Sequence, residues 1–154
     1  MTKNSILFVI AMFNLTIASA QVKLEKIKGS KIVTVTTKEV ESFENVEIEE
    51  FLDVYFVKSE KTSIEIEADD NLHDIISYNV LGNTLKLTAL KQPTGEKKLA
   101  IRVNYNDSLK TIVARHESKI NALADISLEN ITIKNFDKSQ SFLNIRSTNF
   151  TLIM

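Results

Sequence analysis

From residue 30 onward the chain alternates apolar and polar residues with a period of two, and this pattern constrains its fold more than any other feature. Successive side chains of a strand point to opposite faces, so such alternation marks strands with one face buried. Ile32-Val33-Thr34-Val35-Thr36-Thr37 is β-branched throughout, which suits a pleated surface and disfavours helix. Val46 and Ile48 alternate with Asn45, Glu47 and Glu49, and Ile64, Ile66 and Ala68 alternate with Glu65 and Glu67. Leu52, Val54 and Phe56 interleave with Asp53, Tyr55 and Val57, a more apolar run compatible with burial on both faces. Leu99, Ile101, Val103 and Tyr105 form a further stripe. The expected class is all-β.

One segment departs from the pattern. Asp69-Asp70-Asn71 precedes Leu72, Ile75 and Ile76, which share a helical face, so one short helical turn capped by the acids is expected there. Gly82-Asn83 separates two apolar runs and reads as a two-residue hairpin turn. Gln92-Pro93-Thr94-Gly95-Glu96 reads as a loop dividing the chain into halves, residues 21–92 and 98–154.

The second half carries repeats. Leu109-Lys110-Thr111-Ile112 recurs as Leu128-Glu129-Asn130-Ile131, nineteen residues on, and Phe150-Thr151-Leu152-Ile153 follows after twenty-two more. A spacing near twenty residues suits the coils of a three-sided parallel β-solenoid. Asn121, Asn130, Asn135, Asn144 and Asn149 crowd this region, where stacked amides and left-handed backbone at bends favour asparagine.

Met1–Ala20 has the form of a secretory signal: Lys3 is its only charge, Ile6–Ile17 is mostly apolar, and Ala18-Ser19-Ala20 fits the cleavage rule. The apolar stretch, about twelve residues, falls short of the roughly twenty that span a bilayer, so no membrane span is expected after cleavage. Residues 21–154 then form one domain, large enough for a core. The chain has no cysteine, which removes disulfides, thiolate zinc sites and cysteine nucleophiles. Export without cysteine points to a bacterial envelope, in the periplasm, at the outer surface or beyond. The Asn-x-Ser/Thr triplets at Asn106, Asn130 and Asn149 are then coincidental. Lys and Arg number 19 against 20 Asp and Glu, so no basic excess calls for a nucleic-acid partner.

Gly29-Ser30-Lys31-Ile32-Val33, Val40-Glu41-Ser42-Phe43, and Val46-Glu47-Ile48 running to Leu52-Asp53-Val54-Tyr55 resemble the head GIN domain, putative auto-transporter adhesin family. Ile64 to Leu72, Leu85-Lys86-Leu87, Lys98 to Val103 and Leu109 to Ile112 continue the same order of features. The resemblance covers most of residues 29–133. It implies a right-handed parallel β-solenoid in an envelope or secreted protein with an adhesin-like role. Members are typically glycine-rich at the bends, whereas Arg115-His116-Glu117-Ser118 stands at such a place here. Members also usually continue for further coils, so the strand at residues 148–154 is expected to pack inward as a cap, to stack on a partner, or to mark a truncated member. Stacking would give self-association through the C-terminal coil.

Arg115, His116 and Glu117 are the one place where a base, a cation and an acid meet, and they are the surface candidates. If they lay in a strand, Arg115 and Glu117 would share a face and pair, with His116 opposite. His73 and His116 lack any zinc-binding spacing, and Asp69, Asp70, Asn71 and Asp74 lack the calcium-loop pattern, so neither metal nor cofactor is expected. Glu47, Glu49, Glu50, Glu65 and Glu67 fall mostly on solvated faces. With no nucleophile elbow or phosphate loop, catalysis is not expected. Of the aromatic residues, Tyr55, Tyr78 and Tyr105 best suit stacking on sugars, but each is expected to half-bury its ring with the hydroxyl at the surface, and without tryptophan no good aromatic sugar platform is expected. The reading is a non-enzymatic envelope binding module for a glycan or envelope protein. The alternatives are a periplasmic structural protein, or a carbohydrate-active enzyme using carboxylates with Arg102, Arg115 or Arg146.

Overall fold

Antiparallel hairpins and parallel coils share the same two sheets. The computed structural model describes residues 23–154, so the expected signal segment, residues 1–20, lies outside the described residues. The chain runs through β1 (Lys26–Lys28), β2 (Val33–Glu39), β3 (Asn45–Glu49), β4 (Asp53–Lys58) and β5 (Ser63–Asp69). A 3-10 turn, Asp70–Ile75, leads into β6 (Ile76–Leu81), β7 (Thr84–Ala89), β8 (Gln92–Thr94) and β9 (Leu99–Tyr105). Short strands follow: β10 (Thr111–Ala114), β11 (Lys119–Ala122), β12 (Ile126–Ser127), β13 (Asn130–Asn135), β14 (Gln140–Phe142), β15 (Ile145–Arg146) and β16 (Asn149–Ile153).

One six-stranded sheet has the order β16-β13-β10-β3-β7-β6 and the other β14-β11-β4-β9-β5-β2. Their apolar residues form one core, with Val46, Ile48, Leu85, Leu87, Ile112, Ile131 and Ile133 from the first sheet. Val54, Phe56, Ile64, Ile66, Ile101, Val103 and Ile120 come from the second. The all-β class therefore stands, but the sheets are mixed: β2 with β5, β5 with β9, and β6 with β7 are antiparallel. The hairpin at Gly82-Asn83 shows why, since a two-residue link can only reverse the chain, whereas parallel neighbours need a crossover. The parallel pairs are β1 with β8, β3 with β7 and β10, β4 with β9 and β11, and the successive coils from β10 to β16.

Two coils, β10-β11-β12 and β13-β14-β15, stack strand on strand, and β16 starts a third. The register corrects the repeat spacing read from the sequence. Thr111 lies opposite Thr132, an offset of twenty-one that the adjoining bend residues share, and Asn130 lies opposite Asn149, an offset of nineteen. Strand β13 begins before its register with β10, so Asn130 and Ile131 pair only with β16, and aligning strand starts misplaces the repeat. Ile112, Ile133 and Leu152 form one inward column. Ile112 and Ile133 are buried, whereas Leu152 is 47% exposed because no strand covers β16 among the described residues.

The segment at 69–76 does turn, but not as a capped helix. Asp69 makes no capping hydrogen bond. Its buried carboxylate accepts instead from the backbone N–H groups of Lys31 at 2.8 Å, Lys97 at 3.1 Å and Lys98 at 3.0 Å. Burial alone would raise its pKa, yet these three donors and the charge of Lys31 together hold the carboxyl below its ordinary value. Gly29 passes so close that a Cβ would strike this carboxylate and lie 2.7 Å from Glu96 Cα. Gln92–Thr94, expected as loop, is strand β8 and pairs in parallel with β1, which ties the start of the described chain to its middle.

Candidate binding surface at the stacked bends

Each crossing from the first sheet to the second turns a corner, and these corners stack. Glu50-Phe51 links β3 to β4, Arg115 to Ser118 links β10 to β11, and Phe136 to Ser139 links β13 to β14. Four residues here hold left-handed backbone with side chains attached: Glu50 (φ 56°), Phe51 (φ 53°), His116 (φ 55°) and Asp137 (φ 58°). Such backbone costs a non-glycine residue roughly 1–2 kcal/mol. Glycine would adopt this backbone without strain, so Glu50, Phe51, His116 and Asp137 are side chains held at one corner against a local cost.

The charged side chains of the bends pair from one bend to the next. His116 Nδ1 lies 3.0 Å from Glu50 Oε1 on the preceding bend, and its Nε2 lies 3.9 Å from Asp137 Oδ2 on the following one. Glu117 meets Lys138 Nζ at 3.5 Å, and the Arg115 guanidinium stands 4.5 Å above the Phe136 ring. Arg115 and Glu117 therefore do not form the expected pair, because the segment is a turn rather than a strand and each side chain finds a partner one coil away. Ser118, fully buried, donates to the Arg115 carbonyl at 2.7 Å and closes the turn.

This ridge is flanked by two open grooves of about 570 and 750 Å³, and Phe51, Glu117 and Lys138 border both. The N-terminal segment walls the larger groove through Lys23 and Leu24, and Pro93 and Glu96 wall the smaller. Acids and bases alternate along the corner, an arrangement that suits a polar partner bearing both charges. Two carboxyls outside the corner, Glu44 and Asp69, have their pKa held below the ordinary value. Glu44 owes its shift to the hydrogen bond and charge of Lys110, 2.8 Å away. Among the described residues no cluster of His, Asp and Glu fits a metal ion: the carboxylates of Glu50 and Asp137 approach His116 from its two different nitrogens.

Sequence reading singled out Arg115, His116 and Glu117, named Glu50 only among the carboxylates of mostly solvated faces, and did not name Phe51, Asp137 or Lys138. The twenty-one-residue offset would have located the last two. Of the tyrosines, Tyr105 is buried, Tyr78 packs against the core, and Tyr55 faces outward between the inward Val54 and Phe56.

Residues 42–154 match the model of the family described as putative auto-transporter adhesin, head GIN domain. The chain belongs to this family. The match takes in all the stacked bends and begins after β2, so this head GIN domain includes the whole corner. In fold it is similar to a putative adhesin from Bacteroides fragilis NCTC 9343, with TM-score 0.66 and 23% identity over 82% of this chain and 57% of that one. It is also similar to a putative adhesin from Parabacteroides merdae ATCC 43184, with TM-score 0.61 and 16% identity over 83% and 61%. A putative lipid binding protein from Parabacteroides distasonis ATCC 8503 gives TM-score 0.62 and 14% identity over 83% and 63%. The head GIN chain thus spans about three fifths of the length of these solved structures. No curated protein matches it. Among the described residues no helix is long and apolar enough to cross a membrane.

Proposed function

We propose that this chain is an exported, non-enzymatic, adhesin-like binding module of the bacterial envelope, whose coils continue the right-handed solenoid implied by its family. It meets its partner at the corner of stacked bends. The observation that carries this reading is the set of four side-chain-bearing residues in left-handed backbone, which holds a ladder of charges beside two grooves. Family membership supports the adhesin-like role. Arg115, His116 and Glu117 are the contact residues, braced by Glu50, Asp137 and Lys138. A second contact, self-association, is favoured by β16, whose Phe150 and Leu152 continue the core side of the sheet with no strand over them among the described residues.

Location tests the reading. The full chain carries an epitope inserted between Glu60 and Lys61, in the turn after β4, and intact cells are challenged with protease. Loss of the epitope from intact cells agrees with a surface module. Protection until the outer membrane is opened overturns direct adhesion and leaves a periplasmic structural role.

A further inference from the structure

The outer face of the second sheet carries a feature that the corner does not use. Thr37, Glu65, Arg102, Tyr55, Asn121 and Phe142 lie in one row across all six strands, set by the register. In the middle of this row is a shallow dish of about 190 Å³. It exists because Ala100, beside Glu67 on the neighbouring strand, contributes only a methyl group where longer side chains surround it. Tyr55 and Leu123 border the dish, and Leu123 is 60% exposed. Phe142, 59% exposed, lies two strands from Tyr55, about 10 Å at the usual strand spacing. The half-buried Tyr55 ring and the exposed Leu123 give the dish an apolar wall, and the exposed Phe142 extends apolar surface along the same row beyond it.

The charges of the dish cancel in pairs. Arg102 Nη1 meets Glu65 Oε1 at 2.5 Å, and Lys98 Nζ meets Glu67 Oε2 at 3.4 Å. The site therefore attracts neither anions nor cations strongly, yet it offers forked donors and acceptors. Asp53 fixes the far side by accepting from Asn121 Nδ2 at 2.7 Å and from the Tyr55 hydroxyl at 3.4 Å. Burial, together with the charge of Asp53, pushes the Tyr55 phenol pKa up. A sugar ring has an apolar C–H face and a rim of hydroxyls, and it matches an aromatic edge beside balanced, forked polar groups.

We infer that this face binds a neutral saccharide chain, one ring seated in the dish over Ala100 against Tyr55 and the chain running across Asn121 to Phe142. The inference rests on the binding-module reading and names its ligand class, while placing that ligand away from the corner.

Affinity electrophoresis of the full chain in native gels tests it, with a soluble β-glucan, mannan or xylan as neutral probes, and polygalacturonate and chitosan as charged ones. The expected result is retardation by at least one neutral polysaccharide, weakened about tenfold in Tyr55→Ala and Phe142→Ala. Ala100→Gln, which fills the dish from an outward position and leaves the core untouched, is expected to match them with an unchanged melting curve. Retardation only by the charged polymers, or neutral binding that Ala100→Gln leaves intact, overturns the inference. So does the absence of all retardation. A chain that still binds intact cells through the corner in that case shows that the saccharide inference alone has failed, and a chain that binds neither shows that both have.

Discussion

The N-terminal and C-terminal parts of the chain bury comparable strands by different means. From β2 to β9, strands distant in sequence are joined by antiparallel pairing and by one buried carboxylate that gathers three backbone segments. From β10 to β16, strands rest in parallel on their counterparts one coil earlier, and burial declines along the stack. Three of the four residues of β10 are buried, then Ile131 and Ile133 of β13, then none of β16. A long-range knot stabilises all at once, whereas a stack depends at each step on its neighbour. The bend corner draws on both, since Glu50 belongs to the anchored part and His116 and Asp137 to the stack.

The largest expected effect lies at the knot. Asp69→Asn leaves buried N–H groups facing an amide, so the variant should melt lower at neutral pH than any other single carboxylate replacement among the described residues. Gly29→Ala forces the same region apart and should cost about 1–3 kcal/mol of overpacking, read from denaturant unfolding. The pH profile sharpens the point. Because the folded-state pKa of Asp69 lies below its unfolded value, its stabilisation is complete above the ordinary aspartate range, near ~3.9. That stabilisation is lost as pH falls through the depressed value. The gap in melting temperature between the native chain and Asp69→Asn should therefore close on acidification.

The inward column of the stack gives the next contrast. Ile133→Ala should cost about 2–5 kcal/mol, as for a buried aliphatic side chain. Leu152→Ala, one coil further on, should cost under about 1 kcal/mol because half of the side chain is already in water. Equal costs would mean that β16 is covered in solution, as self-association requires. Amide hydrogen exchange should follow the same order, with protection falling from β3 through β10 and β13 to β16. The smallest effect is at the corner: His116→Ala should change stability by less than about 1 kcal/mol, since its partners are half-exposed.

How much of this could be read from the sequence follows from the same contrast. Strands announce themselves by alternation, so β3, β5 and β9 and the Gly82-Asn83 hairpin were legible one by one. Pairing is not local. Nothing near Leu99 says that β9 slides between β4 and β5, and nothing near Asp69 says that its carboxylate serves Lys97 and Lys98 instead of capping a turn. The corner was half legible for the same reason. Arg115, His116 and Glu117 stand out as neighbours, but the partners that define their geometry are one coil away. An offset of twenty-one residues fixes them more surely than the similarity of Leu109 to Leu128. Tyr55 stood in a run compatible with burial on both faces, and the dish beside it depends on Ala100, five strands later in the sequence.

The account stands or falls on the corner as the contact surface. The most direct measurement is binding of the purified full chain to intact bacterial cells, compared with the Arg115→Ala/His116→Ala/Glu117→Ala triple variant at equal concentration. The account predicts cell binding weakened at least about tenfold by the triple change while the unfolding curve keeps its midpoint to within a few degrees. Undiminished binding by the triple variant, or no binding by the native chain, would contradict it.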